Sequence, residues 1–309
     1  MSSPLARIRH RHLLCFVEVA RHGTMRAAAD TLSISQPAAS KTLRELEEAL
    51  GTRLFERLGK SGMTMTADGH LFHRYAGASL AALKQGLDGL AQSRLGGVSI
   101  SVGALPTVAA GIMPGAIRRF KQRHSAMLKI VTGPNTFLLE QLRLGNIDLV
   151  VGRLASTEEM DGFSFTHLYS ERVVLVARPD HPLFHRDNFD FTELERTTVL
   201  LPTADSIIRP IVDQLLLANG VGALADCIET VSPDFCRQYV RASDAIWIIS
   251  RGVVDADLRG GLLRTFDVDT SDTRGAVGLT VRADSDPTPM LRSLMDEISA
   301  FVGQELIER

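Results

Sequence analysis

The sequence is poor in the features that build several common kinds of protein. Three cysteines in 309 residues are too few for a disulfide framework. We interpret Cys15, Cys227 and Cys236 as ordinary buried thiols, with a redox switch at the last two as the less favoured alternative. No apolar run approaches the length of a membrane span, and basic residues interrupt the first twelve positions. We therefore expect a cytoplasmic protein without disulfides or membrane spans.

Catalytic and metal-binding motifs are also missing from the sequence. It holds no Gly-x-Ser-x-Gly elbow, no His-Glu-x-x-His motif, no phosphate-binding loop and no clustered metal ligands. His181 and His185 have the i, i+4 spacing of two helical metal ligands, but Pro182 and Asp187 place them in a loop. We therefore predict neither an enzyme nor a bound metal or other cofactor.

Charge is distributed unevenly along the chain. The net charge is −2, but residues 1–66 carry ten Lys and Arg against six Asp and Glu, and so a net +4. The remaining residues carry a net −6, and the total length predicts two or three domains. A basic head joined to an acidic body is typical of a polyanion-binding domain attached to a domain with a different task.

The basic head contains the pattern of a helix-turn-helix. Thr24 and Ser35 are suitable N-caps for two successive helices. The second helix has an apolar stripe that predicts a buried face, made by Ala39, Leu43, Leu46 and Leu50. A different side of this helix has no acid and suits the major groove of DNA, with Pro37, Ser40, Lys41 and Arg44. Two short strands at 54–57 and 63–66 predict a hairpin wing with a basic tip.

Several short segments of the head carry a family resemblance. They are residues 27–29, 32, 35–40, 46–47, 50–51, 54–57 and 66–69, and together they resemble the N-terminal signature of LysR-type transcriptional regulators. The resemblance extends over the whole chain and implies an N-terminal winged helix-turn-helix, a linker helix and an α/β two-lobed effector domain like that of periplasmic binding proteins. The alternative from periodicity alone is a small helical bundle with an incidental charged face.

The resemblance implies a set of residues that face double-stranded operator DNA. They are Gln36, Pro37, Ser40, Lys41, Arg44, Arg53, Arg57 and Lys60. Gln36 and Arg44 have the chemistry for bidentate base contacts, whereas the basic residues of the wing would hold the phosphate backbone. Each basic residue could instead be a solvated surface charge, an alternative that stays open above all for Arg53.

Residues 67–95 are predicted to form one long linker helix. Its apolar residues make an a/d seam at Ala76, Leu80, Leu83, Leu87 and Leu90. A long helix with one apolar seam needs a partner, either the chain's own body or a second copy. The resemblance implies a second copy, in a homodimer or homotetramer that matches an interrupted palindromic operator. It also implies RNA polymerase as a partner.

Strands and helices alternate beyond the hinge at 96–97, which predicts α/β sheets with parallel strands. We expect a DNA-binding domain at 1–66, the linker at 67–95 and an effector domain at 96–309. Lobe I would span about 98–166 and 276–309, and lobe II about 167–275. Such lobes bind ligands at the carboxyl ends of their strands. The residues expected there are Thr107, Thr132, Asn135, Arg153, Thr203, Ser206, Arg209 and Ser232.

The expected effector site favours a small anion. Hydroxyls beside helix N-termini and an arginine at a strand end suit a carboxylate, although Arg153 could equally form a surface ion pair. Five segments lie around the cleft, at residues 105–109, 131–135, 150–154, 208–210 and 246–253. They resemble the subgroup that controls the protocatechuate branch of aromatic-acid catabolism, and a relative that controls a sugar-binding protein. The first implies a carboxylated, muconate-type inducer. We predict an activator of a catabolic operon, and the alternative is a solute-binding protein with an accessory helical domain.

Overall fold

The computed structural model describes residues 7–58, 62–95, 98–186 and 189–307. The chain divides into two compact units. One unit comprises Met1–Gly96 with Arg143–Asn146, and the other comprises Gly97–Leu142 with Ile147–Arg309. Among the described residues, no helix is both long and apolar enough to cross a membrane.

The first unit is helical with a small hairpin. Its elements are α1 (His10–His22), α2 (Met25–Thr31), α3 (Gln36–Leu50), β1 (Phe55–Leu58), β2 (Gly62–Met65) and α4 (Ala67–Leu95). The Thr24 hydroxyl accepts a hydrogen bond from the Ala27 N–H, and the Ser35 hydroxyl accepts one from the Ala38 N–H. Both predicted N-caps are therefore present, and β1 and β2 form the antiparallel hairpin that the sequence predicted.

Helix α3 buries three of the four residues of the predicted apolar stripe, and the fourth, Leu50, is half-buried. Ala39, Leu43 and Leu46 are buried in a core that also contains Phe16 of α1 and Phe55 of β1. Gly51 ends the helix in the left-handed region, at a φ of 74°, where a side chain would be strained. This packing leaves the opposite side of α3 towards solvent, which is the side with the hydroxyl and basic residues.

The linker seam has two different parts. Ala76 is buried and Leu80 is half-buried in the first unit. Leu83, Leu87 and Leu90, in contrast, are 46%, 58% and 65% exposed. Within the described residues, the chain therefore covers only the N-terminal part of the seam.

The second unit contains two five-stranded sheets. Its first elements are β3 (Val98–Ala104), α5 (Pro106–Ala110), α6 (Ile112–Arg123), β4 (Ala126–Thr132), α7 (Asn135–Arg143), β5 (Leu149–Arg153) and β6 (Phe163–Glu171). Then follow β7 (Val173–Ala177), β8 (Val199–Leu201), α8 (Arg209–Ala218), β9 (Cys227–Glu229), α9 (Pro233–Ala242), β10 (Ile246–Ser250), α10 (Arg251–Arg259) and β11 (Arg264–Thr265). The last elements are β12 (Gly275–Arg282) and α11 (Pro289–Ile307).

The chain builds the first sheet up to β6, then the second sheet from β7 to β11, and returns to the first sheet at β12. The first has the strand order β4-β3-β5-β12-β6, and the second has the order β11-β7-β10-β8-β9. One core lies between the first sheet and helices α6 and α11, around Phe120, Leu294 and Ile298. Another packs α8 against the second sheet, around Val212 and Ile248. The predicted α/β two-lobed architecture is thus confirmed.

The prediction of parallel strands is correct only in part. Strand β3 pairs in parallel with β4 and β5, and β8 pairs in parallel with β9 and β10. Strand β12 instead runs antiparallel to β5 and β6, and β7 runs antiparallel to β10 and β11. The chain leaves the first sheet at the end of β6 and re-enters along β12, which must therefore run in the opposite direction.

The cysteine prediction needs one correction. Cys15 and Cys236 are buried, and burial raises the pKa of their thiols to about 11 and about 12. Cys227 is exposed, because β9 is the edge strand of its sheet.

The segment with the two histidines, predicted as a loop, contains one turn of 3₁₀ helix, Pro182–His185. The ring of His181 caps this turn by accepting a hydrogen bond from the Leu183 N–H.

Candidate functional site

Helix α3 presents a basic face, which we define by five of the predicted DNA-binding residues. Gln36, Pro37, Lys41 and Arg44 are exposed and Ser40 is half-buried. Because the Ser35 cap fixes the first turn and the apolar stripe fixes the rotation of the helix, these side chains project from one rigid surface. The Arg44 side chain makes no hydrogen bond or ion pair with any residue that the structure describes. Its guanidinium is therefore available for a bidentate contact with a base or a phosphate.

An acid beside the basic face escaped the sequence analysis. The Glu45 carboxylate accepts a hydrogen bond from Arg11 at 2.9 Å, and its Oε1 lies 4.0 Å from the Lys41 Nζ. His12 lies 3.3 Å from the same carboxylate, and this hydrogen bond is the main cause that lowers the Glu45 pKa. The i, i+4 spacing of Lys41 and Glu45 is the sequence signal that could have revealed the pair.

The hairpin wing is attached to α3 through one carboxylate. Glu47 accepts hydrogen bonds from the N–H groups of Leu54 and Phe55, at 2.8 and 3.3 Å. Arg53 and Arg57 are exposed beside this anchor, at positions where they can contact a phosphate backbone. Lys60, the predicted tip residue, lies outside the described residues.

A cavity of about 550 Å³ lies in the second unit, at the strand ends of its two sheets. Six of the eight predicted effector residues line it, namely Thr107, Thr132, Asn135, Arg153, Ser206 and Ser232. The cavity also has a large apolar lining that includes Leu105, Trp247 and Ile249. Its size suits a small organic molecule.

Two predicted effector residues do not line the cavity. Thr203 donates its hydroxyl proton to Asp205 at 2.6 Å. Arg209 makes two ion pairs, at 2.7 Å with Asp213 and at 2.6 Å with Glu229, and the hydrogen bond with Glu229 is the main cause that raises its pKa. These partners hold the Arg209 guanidinium at the start of α8 rather than in the cavity. The strand-end rule used on the sequence could not predict these ion pairs.

Arg153 is the basic residue of the cavity lining, which also includes the acids Asp205 and Asp234. It is 6% exposed, so the alternative of a surface ion pair is wrong. Its Nη2 donates to the carbonyl of Thr273 at 2.5 Å and to that of Glu171 at 3.3 Å. Its Nη1 is buried and makes no hydrogen bond within the described part of the chain. Burial lowers the pKa of the guanidinium, whereas the carboxyl of Glu171 raises it.

Other polar groups of the cavity stand at helix starts. Ser232 caps α9 by accepting a hydrogen bond from the Phe235 N–H at 3.4 Å. Asn135 begins α7, and its side-chain N–H₂ is buried without a hydrogen bond to any described residue. The positive end of a helix and an unbonded amide donor both favour an anionic ligand.

Sequence reasoning missed two residues near Arg153. Glu171 ends β6 and Ser250 ends β10, and both are buried at the boundary of the two sheets. Burial raises the pKa of Glu171 to about 7, against the opposing effects of the Arg153 charge and of the Gly252 N–H. Ser250 could have been found by the strand-end rule that identified the other residues, because it immediately precedes α10.

Comparisons with known proteins identify the family of the chain. Residues 10–70 match the model of the bacterial regulatory helix-turn-helix protein, lysR family, and residues 95–302 match the LysR substrate binding domain. The chain is 51% identical over 300 residues to the HTH-type transcriptional regulator PcaQ of Agrobacterium fabrum, covering 96% of each protein. It is 37% identical to the uncharacterized regulator YdcI of Escherichia coli, covering 90% of this chain and 91% of that one.

The fold has a solved counterpart as well. The crystal structure of ArgP from Mycobacterium tuberculosis matches with a TM-score of 0.64 at 17% identity, covering 94% of this chain and 96% of that chain. The family models together span the described helix-turn-helix and the two sheets that enclose the cavity. The chain therefore belongs to the LysR family of transcriptional regulators.

Proposed function

We propose that this ligand-responsive regulator activates a catabolic operon when a small carboxylated metabolite of an aromatic pathway binds in the 550 Å³ cavity. The observation that carries this proposal is that Arg153 lines that cavity while its Nη1 is buried without a hydrogen bond to any described residue. A buried guanidinium with an unused donor is costly unless a ligand supplies the acceptor, and a carboxylate supplies it best.

The cavity limits the chemistry of the effector. One carboxylate would accept from Arg153, and the Asn135 amide and the hydroxyls of Thr107 and Ser232 would bind further polar groups. The apolar walls favour an unsaturated or ring-derived carbon skeleton over a sugar, which would bring many hydroxyls to few polar partners. The resemblance to regulators of the protocatechuate branch, together with 51% identity to PcaQ, supports a muconate-type acid.

The DNA contacts follow from the basic face of α3. Gln36 and Arg44 would read base edges in the major groove, while Ser40 and Lys41 would bind nearby phosphates. Pro37 would set the approach of the first turn, and the wing residues Arg53, Arg57 and Lys60 would bind the backbone. The match of residues 10–70 to a DNA-binding domain supports this function over the alternative of a solute-binding protein.

The exposed part of the linker seam supports an oligomer. Leu83, Leu87 and Leu90 would pack against the same leucines of a second copy, in a homodimer that could assemble further into a tetramer. Two heads related by two-fold symmetry would bind an interrupted palindrome. Activation would involve RNA polymerase, and a protein that binds the chromosome works in the cytoplasm.

The proposed effector binding is tested by thermal unfolding of the protein with cis,cis-muconate, its carboxylated derivatives and a panel of sugars. A bound acid should raise the melting temperature of the wild-type protein by mass action. Arg153→Ala should lose this increase, and Arg153→Lys should keep only part of it because lysine cannot bind a carboxylate bidentately. Arg196→Ala, at an exposed position, is the matched control and should respond like the wild type. An equal response in folded Arg153→Ala would refute the proposed site.

A further inference from the structure

The start of α1 carries basic residues that the contacts of α3 and the wing do not include. They are Arg7, Arg9, His10 and Arg11, all of them exposed, and the first acid in the sequence is Glu18. We propose that Arg11 contacts a backbone phosphate of the bound DNA, and that Glu45 is the residue that positions it. The proposal adds a contact to those proposed above and rests on the placement of α3 in the major groove.

Buried His12 attaches the start of α1 to the middle of α3. Its Nδ1 accepts a hydrogen bond from the Arg9 N–H at 3.2 Å, so the proton of the neutral ring lies on Nε2. Nε2 donates this proton to Oε2 of Glu45, at 3.3 Å. One ring therefore fixes the backbone before α1 relative to a side chain of the helix that carries the basic face.

The Glu45 carboxylate also holds two exposed cations. Its Oε2 accepts a hydrogen bond from Nη2 of Arg11 at 2.9 Å, and its Oε1 lies 4.0 Å from Nζ of Lys41. Lys41 belongs to the basic face of α3, so Arg11 lies beside that face. The hydrogen bond from His12 and, after it, the contact with Arg11 lower the pKa of Glu45, which therefore stays ionised and keeps its hold on both cations.

Glu45 orients Arg11 and leaves most of its donors unused. A guanidinium has five N–H donors in one plane, and among the described residues the hydrogen bond to Glu45 uses one of them, on Nη2. The Arg11 side chain is 56% exposed, so its other donors can reach a ligand in solvent. An arginine that is already held in one orientation loses less side-chain entropy when it binds a phosphate.

The positive charge at the start of α1 is not balanced within the described part of the chain. Arg7 and Arg9 form no ion pair there, and Arg11 shares the single carboxylate of Glu45 with Lys41. Because these residues adjoin the face that would enter the major groove, the DNA strand that borders the groove is the nearest polyanion. Arginine binds phosphate oxygens bidentately, and such contacts add affinity without reading the sequence.

Fluorescence anisotropy with the full-length protein tests the contact. The probes are a labelled duplex that the wild type enriches from a random library and a scrambled duplex of the same composition. Arg11→Ala should bind both duplexes about fivefold more weakly at 50 mM KCl, the effect of losing one hydrogen bond, and only about 1.5-fold more weakly at 200 mM KCl. The slope of log affinity against log salt should fall in magnitude by about 1.

Further variants separate a phosphate contact from a structural role of Arg11. Arg11→Lys keeps the charge and should keep the salt slope of the wild type, whereas Arg196→Ala removes a charge elsewhere and should bind as the wild type does. Glu45→Ala releases Arg11, so adding Arg11→Ala in that background should weaken binding only about twofold. A loss larger than in the wild-type background would mean that Glu45 competes with DNA for Arg11, and would overturn its positioning role.

The result that would overturn the phosphate contact is an unchanged affinity and salt slope in folded Arg11→Ala. Thermal unfolding without DNA establishes that the variant is folded. The placement of α3 fails on a different observation, because Arg44→Ala should change the base preferences whereas Arg11→Ala should leave them as in the wild type. A change of base preference in Arg11→Ala would likewise contradict a contact to phosphate alone.

Discussion

Replacing Glu171 by glutamine should change how the stability of the second unit depends on pH. Burial raises the pKa of this carboxyl from 4.5 to about 7 in the folded protein, so the folded state holds a proton that the unfolded state has released. Stability from this group is fully present below pH 4.5 and is lost as the pH rises through 7. Glutamine cannot ionise, and Glu171→Gln should therefore lack this loss.

The size of the effect follows from the two pKa values. Linkage gives a loss of about 2.5 kcal/mol in the wild type between pH 5 and pH 8, at about 1.4 kcal/mol for each pKa unit traversed. We would measure the free energy of unfolding in urea at both pH values for the wild type, Glu171→Gln and the control Glu195→Gln at an exposed position. The difference between wild type and Glu171→Gln should change by about 2.5 kcal/mol, and the control should follow the wild type. A constant difference across this range would refute the argument that burial controls Glu171.

Two other substitutions test the placement of single groups. A methyl group at Gly275 would lie 2.1 Å from the Nε of Arg153. Gly275→Ala should therefore displace this guanidinium and abolish the thermal shift caused by a carboxylate effector. The control Gly303→Ala has open space at its Cβ and should retain the shift. Leu87 is 58% exposed on the linker helix, and burying the rest of it should be worth about 1 kcal/mol in each copy. Leu87→Asp should therefore raise the dimer dissociation constant about thirtyfold or more by analytical ultracentrifugation, and Leu262→Asp should not; unchanged association of Leu87→Asp would exclude the seam as an interface.

Local features of the head could be predicted because neighbouring residues determine them. The Thr24 and Ser35 caps and the stripe at Ala39, Leu43 and Leu46 depend on spacing within one or two turns of helix. The same spacing did not show that the Glu45 carboxylate contacts both Arg11 and His12. Its contacts with Arg11 and His12 join residues more than thirty positions apart, and the sequence does not show which helices pack together.

The cavity of about 550 Å³ also contains features that the sequence could predict and features that it could not. The rule that ligands bind at strand ends identified Arg153 and Asn135 correctly as lining residues. It also selected Arg209, whose charge is taken up by Asp213 and Glu229. The antiparallel direction of β12 likewise depends on the passage of the chain between two sheets, which strand and helix periodicity does not report.

The central claim is that the basic face of α3 reads a DNA sequence. The most direct measurement is selection of bound duplexes from a random library, with the wild type and Arg44→Ala in parallel and Arg196→Ala as the control. We predict that the wild type and the control enrich an interrupted palindrome. Arg44→Ala should lose preference at one base position in each half-site while its salt-dependent binding remains. Enrichment of the same palindrome with the same base preferences by Arg44→Ala would contradict it.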